Sequence, residues 1–306
     1  MGRGRKEARR KPGDVLGGFR IERQLGAGSM GTVYAVRDPK GAPFALKVLD
    51  ANLAEGEMLQ RFSREAELAA RVSHPNICKV HRSGAATDGS PFLVLELLEG
   101  EDLRACLRRE VRLPVEALVT LCEHVCAGLA AVRDAGAVHR DLKPENIYFH
   151  TPTRQYKLLD FGIAKVLGGI AMTARGQILG TAEYMSPEQA RGGEVDVRSD
   201  LYGFGCVLWE AAAGRPPFVG KNFIEVLTAH RDRRPEPLAD HGAQVGAAIE
   251  RVILRALEKS PEARFARPED MAQAMRTAQE QGVGPGAATP AASWTDRLFA
   301  FLKGRG

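Results

Sequence analysis

A cluster of acidic, basic and amide residues near the middle of the chain has the composition that phosphoryl transfer requires. The sequence reads HRDLKPEN over residues 139–146, and DFG begins at Asp160. Such a transfer needs one carboxylate to orient the attacking hydroxyl, and a second carboxylate with an amide oxygen to hold a divalent cation. A lysine can neutralise the charge that builds up on the transferred group. The candidates for these roles are Asp141, Lys143, Asn146 and Asp160.

A glycine-rich run near the start of the chain could hold the phosphates of a nucleotide. It reads GAGSMGTV from Gly26 to Val33, and β-prone residues flank it on both sides. Glycine lets backbone amides approach a phosphate closely because it has no Cβ atom. The flanks predict a hairpin whose tip covers the phosphates, whereas a dinucleotide-binding fold would begin a helix directly after its glycines. The pattern therefore argues against a dehydrogenase.

A lysine in the next predicted strand could reach the same phosphates. In Phe44–Leu49 the side chains alternate between two faces, so Ala45 and Lys47 share one face. Ala45 is small enough for an adenine ring to pack against it. The alternative is a solvated lysine on an edge strand, which is the usual environment of lysine. The apolar neighbours of Lys47 favour the functional interpretation.

A helix predicted over residues 57–72 offers Lys47 a partner. Glu65 falls within the apolar stripe of this helix, whereas Glu67 points to the opposite side. A carboxylate on a buried face is costly unless it is paired. We therefore expect Glu65 to form an ion pair with Lys47 and Glu67 to face solvent. The residues of the stripe are Met58, Phe62, Leu68, Ala69 and Val72.

A second helix, predicted from Ser199 to Ala213, is apolar nearly all round and therefore reads as a central buried helix. Gly214 would end it, and two prolines follow shortly afterwards. Asp200, in its first turn, could cap the helix.

The composition indicates a globular protein with a sizeable core. The chain has 306 residues, of which 44% are hydrophobic, enough for one large or two modest domains. Its 5 cysteines form no Cys-x-x-Cys pair, and we find no signal peptide, so we expect a reducing cytoplasm. No apolar run approaches the ~20 residues that a membrane span needs, so no span is expected.

The two ends of the chain differ in composition from its middle. Residues 1–12 carry the excess positive charge and could contact an acidic membrane or a partner, or could be a solvated tail; we expect no nucleic-acid partner. Residues 282–290 read as a flexible linker. The segment 294–302 could form a short helix that contacts a membrane, a partner or the rest of the chain, or it could fray. One side of that helix would consist of Trp294, Leu298, Phe301 and Leu302.

Together these motifs resemble the bacterial eukaryotic-like (Hanks-type) serine/threonine protein kinases over residues 19–275. The resemblance implies an α+β, two-lobed kinase fold: a small β-rich lobe with one main helix over about residues 19–99, and a larger helical lobe over about 100–281. ATP would lie between the lobes, residues 1–18 would be a flexible arm, and 282–306 a linker and tail. The implied reaction transfers the γ-phosphoryl group of ATP to serine or threonine hydroxyls of proteins, with Mg²⁺, or Mn²⁺ in its place.

The resemblance also assigns a role to each candidate residue. Asp141 would orient the hydroxyl or accept its proton, and Lys143 would stabilise the transferred group. Asn146 and Asp160 would bind the metal ion. The residues that would line the ATP site are Leu25, Gly26, Ala27, Gly28, Gly31, Val33, Ala45, Lys47, Glu65, Glu96 and Leu98, the last two through their main chain.

The segment after Asp160 carries the regulatory part of the resemblance. Thr173 is the threonine that the protein would phosphorylate on itself. The phosphate would bind Arg140 and so order the segment that carries Thr173. Thr181 matches a threonine that helps to orient an aliphatic hydroxyl. Ser-Pro-Glu, ending at Glu188, stands where the family has Ala-Pro-Glu, and Arg264 would be the buried partner of that glutamate.

In the same resemblance, Asp200 anchors the backbone of the catalytic loop (residues 139–146), and His139 is structural and transfers no proton. A pseudokinase scaffold is an alternative function, but it predicts the loss of a reactive lysine, aspartate or asparagine, and all are present. A small-molecule kinase of related fold would not be expected to keep the Ser-Pro-Glu segment.

Overall fold

The computed structural model describes residues 10–28, 31–49, 66–160 and 182–282, together with Asp296 and Leu298. These residues divide into two compact units. The strand unit contains residues 10–28, 31–49, 66–73 and 78–98, and the helical unit contains the rest.

The strand unit is built on a six-stranded antiparallel sheet. The strands are β1 (Val15–Leu16), β2 (Phe19–Gly28), β3 (Gly31–Arg37), β4 (Pro43–Leu49), β5 (Val80–Ala85) and β6 (Pro91–Leu95). They lie in the order β1-β2-β3-β4-β6-β5. The β2–β3 pairing confirms the predicted hairpin, since Gly26 pairs with Val33 and Gly28 with Gly31.

The two faces of β4 differ as the sequence alternation predicts. Leu46 and Val48 belong to the hydrophobic core of the strand unit, together with Val36 and Val94. Lys47 lies on the other face, yet only 8% of its surface is exposed. It is therefore not the solvated lysine of the alternative interpretation.

Gly31, at the start of β3, occupies a position that only glycine can fill. Its φ angle is +140°, and a Cβ atom there would lie 1.9 Å from the carbonyl oxygen of Val48. The close approach of β3 to β4 next to Lys47 thus depends on this glycine.

The described part of the helix predicted over residues 57–72 is helical at residues 66–71. Ala66 and Ala69 are buried, and Glu67 is exposed as expected. Leu68, however, is 36% exposed, so its assignment to the apolar stripe is wrong. The buried face is formed by the small alanines and Val72, which lie about one turn apart.

The helical unit packs its helices around one large hydrophobic core. A small antiparallel sheet, with the order β7-β8-β9, supports the catalytic loop. Its strands are β7 (Gly100–Asp102), β8 (Ile147–His150) and β9 (Gln155–Leu158). The helices are α1 (Leu103–Glu110), α2 (Val115–Asp134), α3 (Pro187–Ala190), α4 (Val197–Ala213), α5 (Phe223–Asp232), α6 (Gly246–Ala256) and α7 (Pro268–Gly282), and single turns of 3-10 helix occur at Pro144–Asn146, Leu238–His241 and Pro261–Ala263.

Helix α4 is the predicted central helix, and almost every residue in it is buried. Gly214 ends it in a left-handed conformation with φ +82°, as predicted. The helix begins earlier than expected, and its N-cap is Asp196, whose side chain accepts a hydrogen bond from the Arg198 amide. Asp200 therefore does not cap the helix, because it already lies within the first turn.

Helix α2 is long and apolar enough to cross a membrane by length and composition alone, so the prediction that no segment has these properties is wrong. The same properties are found in the core helices of soluble proteins. Leu121, Cys122 and Leu129 of α2 are completely buried in the core of the helical unit. The 5 cysteines of the chain are buried, and none of them is in a disulfide bond.

Candidate active site

The carboxylate of Asp141 is held by two neighbours in the catalytic loop. Lys143 Nζ donates a hydrogen bond to Asp141 Oδ2 at 2.7 Å, and Asn146 Nδ2 donates to the same oxygen at 2.9 Å. Asn146 Nδ2 also donates to the carbonyl oxygen of Asp141 at 2.8 Å. Because both side chains use Oδ2, Oδ1 is the oxygen that can accept a hydrogen bond from a hydroxyl. The structure thus brings Asp141, Lys143 and Asn146 together, as the motif predicts.

A tight turn explains why Asn146 returns to Asp141. Pro144 occupies the first position of a 3-10 turn, where its fixed φ is suitable and its missing N–H costs nothing. The main-chain N–H of Asn146 donates to the carbonyl oxygen of Lys143 at 2.9 Å and closes the turn. The local sequence therefore folds the asparagine back onto the aspartate.

The second candidate metal ligand is brought close by the β8–β9 pairing. Ile147 pairs with Leu158, and the next amide, that of Leu159, donates to the carbonyl oxygen of Asn146 at 2.9 Å. Asp160 follows directly and has a left-handed φ of +54°. Such a conformation is uncommon outside glycine and tends to occur at functional sites.

The chemistry of these two residues suits a hard divalent cation. The side-chain Nδ2 atom of Asn146 is hydrogen-bonded to Asp141. The side-chain Oδ1 atom of Asn146 is therefore the group that this residue can offer as a metal ligand. Asp160 contributes a carboxylate. Oxygen ligands of these two kinds are those that Mg²⁺ and similar ions prefer. Asn146 and Asp160 therefore fit a metal ion of the predicted type.

His139 is fully buried and serves the backbone of the loop. Its Nδ1 atom accepts a hydrogen bond from the Asp141 amide at 3.4 Å, and Nε2 lies 2.9 Å from the carbonyl oxygen of Leu159. These contacts assign one neutral tautomer, in which Nε2 carries the proton. Burial lowers the pKa of His139, which also favours the neutral ring. His139 thus ties Asp141 to the segment that precedes Asp160.

Asp200 anchors the catalytic loop from helix α4, which is the second role that the sequence analysis gave it. Its two carboxylate oxygens accept hydrogen bonds from the amides of His139 and Arg140, both at 2.7 Å. Burial raises the pKa of Asp200 to about 7, and the two amide donors oppose this shift. Arg140 has a left-handed φ of +69°, so these bonds hold a strained residue directly before Asp141.

Gln189 also holds the strained loop, and the sequence analysis did not identify it. Its Nε2 atom donates to the carbonyl oxygen of Arg140 at 3.0 Å, while its Oε1 atom accepts from the Ser186 amide at 2.9 Å. Ser186 and Gln189 form a capping box at the start of α3. The Ser-x-x-Gln spacing was the available signal, and the serine that replaces the usual alanine supplies the cap.

Glu188 and Arg264 form the predicted ion pair. The two guanidinium Nη atoms donate to the two carboxylate oxygens at 2.7 and 2.9 Å, and Ser199 Oγ adds a hydrogen bond at 2.6 Å. The side chain of Arg264 is 0% exposed and that of Glu188 is 13% exposed. The bidentate pair joins the end of the Ser-Pro-Glu segment to the residue that follows the Pro261–Ala263 turn, and Ser199 joins it to the first turn of α4.

A second polar network, which no sequence pattern predicts, contacts the catalytic loop at Glu145. Arg104 of α1 donates to Glu145 of the loop at 2.8 Å, to Glu210 of α4 at 2.5 Å and to the Tyr184 hydroxyl at 2.5 Å. Tyr184 in turn donates to Glu210. Arg104 therefore fixes the segment after Thr181 relative to the catalytic loop. No local spacing relates these residues, because they come from four separate parts of the chain.

In the strand unit, the sheet register places several predicted ATP-site residues on one face. Residues directly opposite each other in antiparallel strands share a face. Lys47 lies opposite Val33, and Ala45 lies opposite Leu95. Leu25 lies at an irregularity of β2, between Gln24 and Gly26, and is 40% exposed. The strand ends of the glycine hairpin are formed by Gly26, Ala27, Gly28 and Gly31.

The segment after β6 shows how Glu96 can contact a base. Its amide donates to the carbonyl oxygen of Lys79 at 2.9 Å, and its side chain accepts from the Lys79 amide at 2.9 Å. Because the Glu96 N–H is used in this way, its main chain can offer adenine an acceptor rather than a donor. Leu98 follows two positions later and is partly buried.

Several predicted residues lie outside the residues that the structure describes. They are Met58, Phe62, Glu65, Thr173, Thr181, Trp294, Phe301 and Leu302.

The geometry and the sequence agree with one family of known proteins. Residues 19–277 match the protein kinase domain family. The chain belongs to the protein kinase family. Among its relatives, the kinase is 40% identical over 254 residues to the serine/threonine-protein kinase pkn3 of Myxococcus xanthus, covering 79% of this chain and 46% of that protein.

Two other bacterial relatives give the same result. The kinase is 41% identical to the serine/threonine-protein kinase Pkn1 of Myxococcus xanthus, covering 82% of this chain and 36% of that protein. It is 37% identical to the serine/threonine-protein kinase PknB of Mycobacterium leprae, covering 79% of this chain and 40% of that protein. The kinase therefore belongs to the bacterial Hanks-type serine/threonine group and has its two-part α+β fold. The chain spans less than half the length of these curated relatives.

Proposed function

We propose that the kinase transfers the γ-phosphoryl group of ATP to serine and threonine hydroxyls of protein substrates. The observation that carries the proposal is the geometry around Asp141. One carboxylate oxygen is fixed by Lys143 and Asn146, which leaves the other to orient a hydroxyl and accept its proton. The names of the bacterial relatives support the choice of serine and threonine as acceptors.

The other residues of the site supply binding and charge. Lys47 would hold the α- and β-phosphates from the sheet face that it shares with Ala45, and Glu65 would orient it. Asn146 and Asp160 would hold the divalent ion, which we propose to be Mg²⁺, with Mn²⁺ able to replace it. When bound, that ion neutralises charge on the phosphates. Lys143 lies beside Asp141, where it can stabilise the group in transfer.

The test is phosphorylation of a general protein acceptor with γ-labelled ATP, in Mg²⁺ and separately in Mn²⁺. We expect acid hydrolysis of the labelled product to release phosphoserine and phosphothreonine. Lys47→Met and Asp160→Asn should each nearly abolish the labelling and leave the thermal unfolding transition in place. Mainly phosphotyrosine would contradict the acceptor assignment, and full activity of both variants would contradict the site.

We further propose that the kinase activates itself by phosphorylating Thr173. The buried Nε atom of Arg140 has no hydrogen-bond partner among the residues that the structure describes. A buried guanidinium nitrogen without a partner favours the approach of an anion. A phosphate on Thr173 would bring a charge of about −1.5 to −2 and three acceptor oxygens, which suits Arg140.

Thr173→Ala should therefore lower the rate of phosphorylation by about 5- to 150-fold, the range of a coupling free energy of about 1–3 kcal/mol. Thr87→Ala, in an exposed turn of the strand unit, is the matched control and should leave the rate unchanged. Peptide mass spectrometry should find phosphate on Thr173 in the wild-type protein and none in Asp141→Asn. An active wild-type enzyme that lacks this phosphate would exclude the switch.

The location and the partners of the ends are further proposals. We propose a cytoplasmic kinase, which the buried cysteines outside any disulfide bond support. Residues 1–12 would give a weak contact to an acidic membrane or partner. Arg10, near the end of this arm, forms an ion pair with Asp88, in which Nη2 lies 2.7 Å from Oδ2. The basic residues before Arg10 would therefore make the contact with the membrane or partner.

A further inference from the structure

We propose that the C-terminal segment around Leu298 docks on the helical unit of the same chain and completes the hydrophobic core there. Leu298 is only 4% exposed and belongs to the core cluster of the helical unit. Asp296 and Leu298 both have helical backbone. A leucine of an unattached tail would be largely exposed to water, so this burial requires a seat on the folded unit.

That seat is a groove between the α1–α2 connection, the C-terminal end of α4 and residues 242–245, which follow the Leu238–His241 turn. It has a volume of about 750 Å³. Its apolar wall is formed by Leu113, Pro114, Val115, Ala212 and Val245, with Leu298 against it. The rest of its lining is mostly polar and is formed by Glu110, Arg112, Glu116, Gly242 and Gln244.

Hydrogen bonds hold the walls of this groove in place. The Leu113 amide donates to the carbonyl oxygen of Ala211 at 2.7 Å. Arg112 donates to the carbonyl oxygens of Ala213 and His241 at 3.3 and 2.5 Å. The α1–α2 connection is thus fastened to α4 and to the Leu238–His241 turn, and the groove is a preformed surface.

An ion pair fixes the direction of the docked segment. Asp296 Oδ1 lies 2.5 Å from Arg154 Nη1, in the turn between β8 and β9. Both side chains are more than 40% exposed, at 42% and 46%, so the pair adds orientation rather than much affinity. The buried leucine supplies the affinity, because its apolar surface is removed from water.

The burial of Leu298 favours its own chain as the occupant over a membrane. In a helix, Leu298 would share a face with the residues three and four positions away, which are the other members of the predicted stripe: Trp294, Phe301 and Leu302. Leu298 is the member of that stripe that the structure describes, and it faces protein core. A membrane-bound stripe would leave this position free to enter lipid.

The test is hydrogen exchange and thermal unfolding of the full chain carrying Leu298→Asp. We expect faster exchange at residues 110–116, including the Leu113 amide, and a melting temperature several degrees lower. Ile224→Asp is the matched control, because Ile224 is 73% exposed in the same unit, and it should change neither readout. Leu298→Ala, a milder change, should shift both readouts in the same direction by less.

A charge exchange tests the direction of docking. Arg154→Glu and Asp296→Arg should each speed exchange at residues 110–116 slightly, and the double variant should restore it. Unchanged exchange and melting in Leu298→Asp would overturn the proposal. Protection of residues 110–116 from exchange that rises with protein concentration, together with a dimer in sedimentation experiments, would also overturn it. That result would favour docking on a second copy. These readouts do not use phosphorylation, so they stand apart from the proposed function.

Discussion

Asp141→Asn should reduce the rate of phosphoryl transfer by about 10²- to 10⁴-fold while the protein stays folded. Lys143 Nζ and Asn146 Nδ2 both donate to Asp141 Oδ2, so the amide oxygen of the new asparagine would take over these two bonds. The amide nitrogen would then occupy the position of Oδ1. A hydrogen-bond acceptor for the hydroxyl becomes a donor, and the proton has no acceptor at that point.

The measurement is the steady-state rate with saturating ATP and a protein acceptor, together with the melting temperature. Asp134→Asn is the control, because the Asp134 side chain is 67% exposed on the same unit. It should retain full activity. An Asp141→Asn protein that keeps most of its activity would show that the assignment of the catalytic carboxylate is wrong.

Arg264→Met should destabilise the helical unit by about 3–5 kcal/mol, which is the cost of breaking a buried ion pair from one side. Arg264 is completely buried, and its removal leaves the Glu188 carboxylate unpaired beside Ser199. The melting temperature should fall by roughly 2–4 °C for each kcal/mol lost. Arg276→Met, which breaks the partly exposed pair with Glu123, is the control and should cost about 0–1 kcal/mol.

The same pair makes stability depend on pH. Burial raises the pKa of Glu188, but the hydrogen bonds from Arg264 and Ser199 outweigh burial and lower it to about 2. The ordinary value of an unfolded glutamate is about 4.3. Because the folded pKa is the lower one, the stabilisation is fully present above the unfolded value and is lost as the pH falls toward the folded value.

Glu188→Gln should therefore flatten the pH dependence of the free energy of unfolding between about pH 4.3 and about pH 2. Unfolding by denaturant at several pH values in this range measures it. The double variant Arg264→Met with Glu188→Leu should be more stable than Arg264→Met alone, since no buried charge is left unpaired. Equal slopes in wild type and Glu188→Gln would refute the pKa argument.

Local patterns carried much of the prediction. The glycine hairpin, the alternation in β4 and the left-handed stop at Gly214 follow from residue types a few positions apart. The fold of the catalytic loop, with Asn146 turned back to Asp141, also follows from a short motif that contains a proline. Backbone sterics and side-chain periodicity act over a few residues, so a single sequence expresses them directly.

Three features differ from the sequence-based predictions because neighbouring residues, or the surrounding core, determine the structure there. Asp200 sits in the first turn of its helix, but Asp196 reaches the first free amides and becomes the cap. Leu68 has the right spacing for a buried stripe, yet the neighbouring alanines form the buried face. The α2 helix is as apolar as a membrane span because it lies in a protein core, which is equally apolar.

The amino-acid sequence by itself determined the kinase motifs, the candidate reactive residues and the pairing of Glu188 with Arg264 through resemblance to a family. Only the tertiary structure decided which side chains hold the strained Arg140, namely Asp200 from α4 and Gln189 from α3. It also decided that Leu298 lies in the core of the helical unit. Contacts of this kind join residues far apart in the chain, and their partners are selected by packing and by the need to pair buried polar groups, which no local pattern records.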